Sequence, residues 1–140
     1  MPMAKAKSDV PTPPASRSRK PAAPRLPADV KLAVAAALDK KALNVVALDL
    51  RKASAFTDFF LICTGGNLRQ VKAIADGIEE ALRRAGLKPA LTEGYQRGDW
   101  VLIDYFDFIV HIFSPQTREF YGLERLWGDA KRIEIPSPSA

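Results

Sequence analysis

The chain has 140 residues, 47% of them hydrophobic and 26% charged, with a formal net charge of +5 and a single cysteine, Cys63. That length suits one domain around one core. One cysteine excludes an internal disulfide, and no apolar run approaches the ~20 residues that a membrane helix needs.

The excess charge sits at one end. Six basic residues (Lys5, Lys7, Arg17, Arg19, Lys20 and Arg25) and one acid, Asp9, precede Ala28, so the remainder is electrically balanced. A folded groove built for nucleic acid would leave that remainder basic. Residues 1–27 also hold seven of the eleven prolines and few large apolar side chains. They cannot offset their own ordering entropy and are expected to form a disordered basic tail. The Arg, Ala and Ser content of the tail is similar to that of an organelle transit peptide, whereas its prolines oppose the amphipathic helix such peptides need. A single domain is expected over 28–135 and a linker-like tail over 136–140.

In chain order, Leu26 to Leu43 carries Val30, Val34, Ala37 and Leu38 near helical spacing in an alanine-rich setting. "NVVALDL" (Asn44 to Leu50) and "DFFLICT" (Asp58 to Thr64) read as buried strands, paired as a hairpin across "RKASAFT". From Leu68 the spacing changes to that of a helix, with Val71, Ile74, Ala75, Ile78, Leu82 and Ala85 on one face. Gly86 supplies the left-handed stop and Pro89 follows. "ALTEGY" is a short strand. "DWVLIDYFDFIVHIF" (Asp99 to Phe113) gives two strands around a tight turn at Phe106–Asp107. Ser114 is a good N-cap with Pro115 at N1, and the helix it opens runs through Leu123, Leu126 and Trp127 to Gly128. The order α–β–β–α–β–β–β–α makes an α/β domain, a mixed sheet of about five strands flanked by helices.

Strand, double glycine and helix in "FFLICTGGNLRQ" are the parts of a phosphate loop. The P-loop lysine–hydroxyl pair is missing, however, and the glycines do not have dinucleotide-fingerprint spacing. The segment matches a capping box better, with Asn67 accepting from the Gln70 N–H and the Gln70 side chain returning to the Asn67 amide. A helix N-terminus remains a weak anion site, with Arg69 nearby. His111 and Cys63 are single residues in buried strands, and no metal set is formed. Asp104 and Asp107 flank a turn, where Asp is common for backbone reasons. No closely spaced acid pair of the kind used in nucleotidyl transfer is present. Strict alternation puts Val101, Ile103 and Tyr105 on one face of their strand and Trp100, Leu102 and Asp104 on the other. If one face is core, the other still carries large apolar residues, and Phe120, Tyr121 and Trp127 add more. The aromatics either complete a small core or form a docking face.

"LDLRKASAFTDFFLICTGGNLRQVKAIADGIEEALRRAGLKP" and "EGYQRGDWVLIDYFDFIVHIFSPQTREFYGLERLWGDA" together resemble the ribosomal silencing factor family, also called Iojap-like. The resemblance runs from about Val30 to Ile133. It implies a non-enzymatic factor with a nucleotidyltransferase-like fold lacking the catalytic acids, and with no cofactor or metal. It implies binding to large-subunit ribosomal protein fourteen, which would block joining of the small subunit and repress translation. Homodimers and a bacterial cytoplasmic location also follow, with a mitochondrial relative as the alternative. The family's partner-contacting positions carry over onto Trp100, Ile103 and Tyr105, with Phe106 beside them. Those strand positions do not share a face, so a bulge or an edge contact is expected. The family usually has glycine where this chain has Phe106, so a turn requiring positive φ would be strained here. The long basic tail is a second departure, expected to add non-specific attraction to ribosomal RNA. Competing readings are a ribosome assembly factor, a nucleotidyltransferase-like enzyme, and an RNA-binding module acting through the tail.

Overall fold

The computed structural model describes residues 26–53 and 55–136. Apart from Leu26, Pro27 and Pro136, the two expected tails lie outside the described residues. Ten elements follow in order: α1 (Ala28–Asp39), β1 (Leu43–Asp49), β2 (Phe59–Thr64), α2 (Leu68–Arg84), β3 (Leu91–Glu93), β4 (Trp100–Asp104), β5 (Phe108–Phe113), α3 (Pro115–Tyr121), α4 (Leu123–Leu126) and β6 (Lys131–Glu134). They build one six-stranded sheet in the order β3-β4-β5-β2-β1-β6. The central pair β2/β5 is parallel and every other pair is antiparallel, which makes the sheet mixed.

Composition follows position in this sheet. All six residues of β2 and all six of β5 are buried, so these strands read as continuous apolar runs, as strands covered on both faces must. One face packs under α1 and α2, where Ala33, Ala37, Val71, Ile74, Ile78 and Leu82 meet Phe59, Leu61, Cys63, Val101, Ile103, Val110 and Ile112. The alanines of α1 let that helix lie close. The opposite face holds Val46, Leu48, Phe60, Ile62, Ile109 and Phe113, with Trp100, Leu102, Leu123 and Trp127 packed against them. Among the described residues the two short C-terminal helices, the β1–β2 loop (Ala53, Ala55) and Ala130 cover it in part. Each such side chain removed from water contributes about 1.5–3 kcal/mol.

Three expectations need correction. The sheet has six strands where about five were expected. The sixth, "KRIE", buries only Ile133, so its charged edge pattern hides the strand. α1 ends at Asp39 rather than Leu43: Lys40 and Lys41 turn the chain, Lys41 with φ 65°, and Leu43 opens β1 opposite Thr64. The C-terminal helix is two helices, because Gly122 takes a left-handed conformation (φ 56°) between Tyr121 and Leu123.

Candidate docking surface

Arg118 of α3 anchors the two short helices to the sheet. Its guanidinium pairs with both oxygens of Glu124 at 3.0 Å, and Nη1 also donates to the Asn44 carbonyl (2.6 Å) and Thr64 Oγ1 (2.9 Å). Arg132 of β6 adds a 2.6 Å bond to Glu124. The hydrogen-bonded Arg118 holds the Glu124 carboxyl below its usual range. One largely buried cation thus ties α3 and α4 to β1 and β2, and through Glu124 to β6. A planar fork with several donors is suited to that task.

Trp100 begins β4 on this incompletely covered face. Its Nε1–H donates to His111 Nδ1 at 3.0 Å. Its ring lies 5.0 Å from Phe113 and 4.7 Å from Tyr121. The aromatic run continues outward from Tyr121 to Phe120 and inward from His111 to Phe60 and Trp127. Trp100 is half-buried, Tyr121 is 50% exposed and Phe120 is 78% exposed. The inner end is therefore core and the outer end is open to water. His111 is structural: burial pushes its imidazole down to about 4, keeping it neutral.

Of the four residues carried over as partner contacts, the structure leaves two at the surface. Ile103 has no exposed area and Tyr105 only 6%. β4 pairs with β5 without interruption from Trp100 to Asp104, and β3 pairs its other side from Leu102 to Asp104, so of the expected bulge or edge contact the bulge is absent and Ile103 is not on a free edge. Strict alternation instead sends Val101, Ile103 and Tyr105 into the core under α1 and α2. Burial leaves Ile103 and Tyr105 almost no surface for direct contact with a partner, and Leu102 takes the place between Trp100 and Asp104 on the other face. Burial also raises the Tyr105 phenol to about 12.

Phe106 is 75% exposed. Its φ is 73°, and the Asp107 N–H donates to the Tyr105 carbonyl at 2.9 Å, which closes a three-residue γ-turn. This positive-φ form is rare and strained for a residue with a side chain. A cost of order 1–3 kcal/mol has to be met by the surroundings. The strain expected at this position is present. Phe56 projects from the adjoining β1–β2 loop at 76% exposure. In the sequence it lies in "RKASAFT", which reads as a loop, and opens the F-T-D stretch (Phe56 to Asp58) shared with the family that the chain resembles.

The double-glycine question resolves in favour of a turn. Asn67 Oδ1 caps the Gln70 N–H at 2.9 Å, but the Gln70 side chain accepts from Gly66 (2.7 Å), one residue before the expected Asn67 amide. The Gly66 amide, which would face an anion, is thereby occupied. Gly65 has a packing role: a Cβ there would stand 2.7 Å from Val71 Cγ2. Burial pushes the Cys63 thiol up to about 12, the behaviour of a core thiol and not of a nucleophile. Among the described residues no three His, Cys, Asp or Glu side chains are grouped to hold a metal ion, and no helix is long and apolar enough to cross a membrane.

Residues 23–140 match the family model described as ribosomal silencing factor during starvation. A ribosomal silencing factor of Halalkalibacterium halodurans is 45% identical over 106 residues, covering 76% of this chain and 91% of that protein. One of Bacillus subtilis is 43% identical over 106 residues, covering 76% and 90%. A crystal structure of a Chromobacterium violaceum protein superposes with a TM-score of 0.70 at 35% identity, covering 80% of this chain and 90% of that one.

Proposed function

The chain belongs to the ribosomal silencing factor family, and from that premise we propose that it acts on the ribosome to silence translation by occupying a surface. The observation that carries this reading is the family match over nearly the whole domain. The half-open aromatic face of the sheet supplies the means. Trp100, Leu102 and Tyr121 are the side chains that a partner would bury there, and Trp and Tyr are residue types that dominate interface energetics. The finer mechanism is contact with protein fourteen of the large subunit, which excludes the small subunit. An interface of ~1,200–2,000 Å² is sufficient if the two sites overlap. No chemical step is needed. The bacterial relatives support a cytoplasmic setting. Homodimer formation and a weak tail contact to ribosomal RNA belong to the same proposal.

The test is co-sedimentation with purified large subunits and, separately, small subunits. Large subunits alone should carry the protein down. Trp100→Ala should weaken that binding by about 2 kcal/mol. It also removes packing against His111 and Phe113, so Tyr121→Ala, at a half-exposed ring, is the partner variant. Folded Trp100→Ala and Tyr121→Ala proteins that bind as tightly as the parent would place the contact elsewhere.

A further inference from the structure

The folded part is neutral only in sum. At the end of the sheet where β4 turns into β5, Asp58, Asp104 and Asp107 make no salt bridge among the described residues. At the other end β2 and β5 finish and β1 begins, and there the charges without a salt bridge are mostly cations. Gln70 Nε2 donates to the Lys41 carbonyl at 2.8 Å and to the Lys40 carbonyl at 3.3 Å, which holds the α1–β1 turn against the first turn of α2. Lys41 sits in that turn with φ 65°, and Arg69 precedes Gln70 on the helix. Asn44, three residues after Lys41, accepts from Arg118 Nη1 at 2.6 Å and lines one open crevice with Thr64, Arg118 and Arg125. Lys40, Lys41, Arg69 and Arg125 are exposed and make no salt bridge among the described residues. The exposed acids beside them, Asp39 and Glu119, are fewer, so a positive excess remains.

We propose that this cationic strip at the α1–β1 turn contacts the phosphate backbone of ribosomal RNA. The proposal rests on the ribosome reading above and goes beyond it, because it gives the folded domain an RNA contact separate from the aromatic face and from the tail. Long cations spaced along a strip each meet a separate phosphate and release its counterions, which positions a protein without reading base sequence. The six basic residues before Ala28 carry the same sign. They attach at the far end of the 12-residue α1, about 18 Å from Lys40 by helix rise. A repeating polyanion suits that spacing better than a compact acidic patch on a protein.

The experiment measures binding of the full chain to deproteinised large-subunit RNA, and to intact large subunits, over a range of salt concentrations. The test variant combines Lys41→Asn with Arg69→Gln; asparagine suits a left-handed backbone, so the Tm should stay near the parent's. The comparison variant combines Lys52→Gln with Lys131→Gln, which removes the same net charge at the opposite end of β1. On RNA the test variant should lower the slope of log K against log salt by about 2, one for each cation removed. The comparison variant should change it much less. Large-subunit binding at low salt should fall severalfold in the test variant alone. If Lys41→Asn disturbs the turn, Arg69→Gln by itself should still lower the slope by about 1. An unchanged slope overturns the proposal, and so do equal changes in the two double variants, which would report net charge only. Weakened large-subunit binding with unchanged RNA binding overturns it in favour of an acidic protein surface. Each of these outcomes leaves the ribosome reading standing, whereas a parent chain that does not bind large subunits overturns both.

Discussion

His111 accepts the Trp100 indole N–H at Nδ1, so its own proton sits on Nε2, which is buried without a partner. Phe60, Trp100 and Phe113 surround the ring, and none of them can stabilise a positive charge by ion pairing. The neutral imidazole is thus a condition of the fold. The folded-state value near 4 lies below the ordinary 6.5, so the unfolded chain binds the proton first as pH falls. The corresponding stability is full above pH 6.5, declines through the interval, and is lost below pH 4. It amounts to about 3 kcal/mol. Urea unfolding of the parent between pH 7 and 4 should show this decline, and His111→Gln, which keeps an acceptor for the indole, should flatten it. An identical slope in the variant would mean that other groups carry the pH dependence. The same residue scale explains the misplaced contacts. Alternation read from "WVLIDYF" already paired Ile103 with Val101, so the carry-over from the family needed a bulge or an edge contact; β4 has no bulge, and the core claimed Ile103 and Tyr105.

At the scale of elements, Gly65 and Gly66 look equivalent in sequence and are not equivalent in the fold. A Cβ at Gly65 meets the Val71 backbone N at 2.8 Å as well as its side chain, while one at Gly66 meets only the side-chain end of Gln70 at 3.2 Å. Gly65→Ala should therefore cost about 2 kcal/mol by overpacking the start of α2, and Gly66→Ala less than about 1 kcal/mol. Thermal melts of the two variants decide the matter; equal losses would contradict the packing role. α2 was legible because its apolar face repeats at helical spacing over 17 residues. The central strands were legible because burial on both faces leaves almost only apolar positions, Thr64 and His111 apart. β6 was not, since an edge strand that buries one side chain among four resembles a charged linker. The break at Gly122 was missed because glycine permits either continuation or a left-handed stop, and tertiary contacts choose between them. Likewise the open aromatic face could be seen as an excess of Trp, Phe and Tyr. Which rings reach water depends on how far α3 and α4 extend over the sheet.

For the whole molecule, charge and surface point the same way. The folded part is neutral and carries its apolar excess on the face that α1 and α2 do not cover, whereas the basic residues in excess precede Ala28. A neutral body with an open aromatic face suits binding to a protein, and a basic tail suits weak, salt-sensitive attraction to nucleic acid. Silencing by occupancy requires only that the bound domain overlap the small subunit's footprint. Sucrose-gradient sedimentation of purified large and small subunits, with and without the protein, tests silencing by occupancy. The protein should travel with the large subunit, and the joined peak should fall as the protein is added. A protein that travels with the large subunit while the joined peak is unchanged would contradict the silencing mechanism and make the chain a binding or assembly factor.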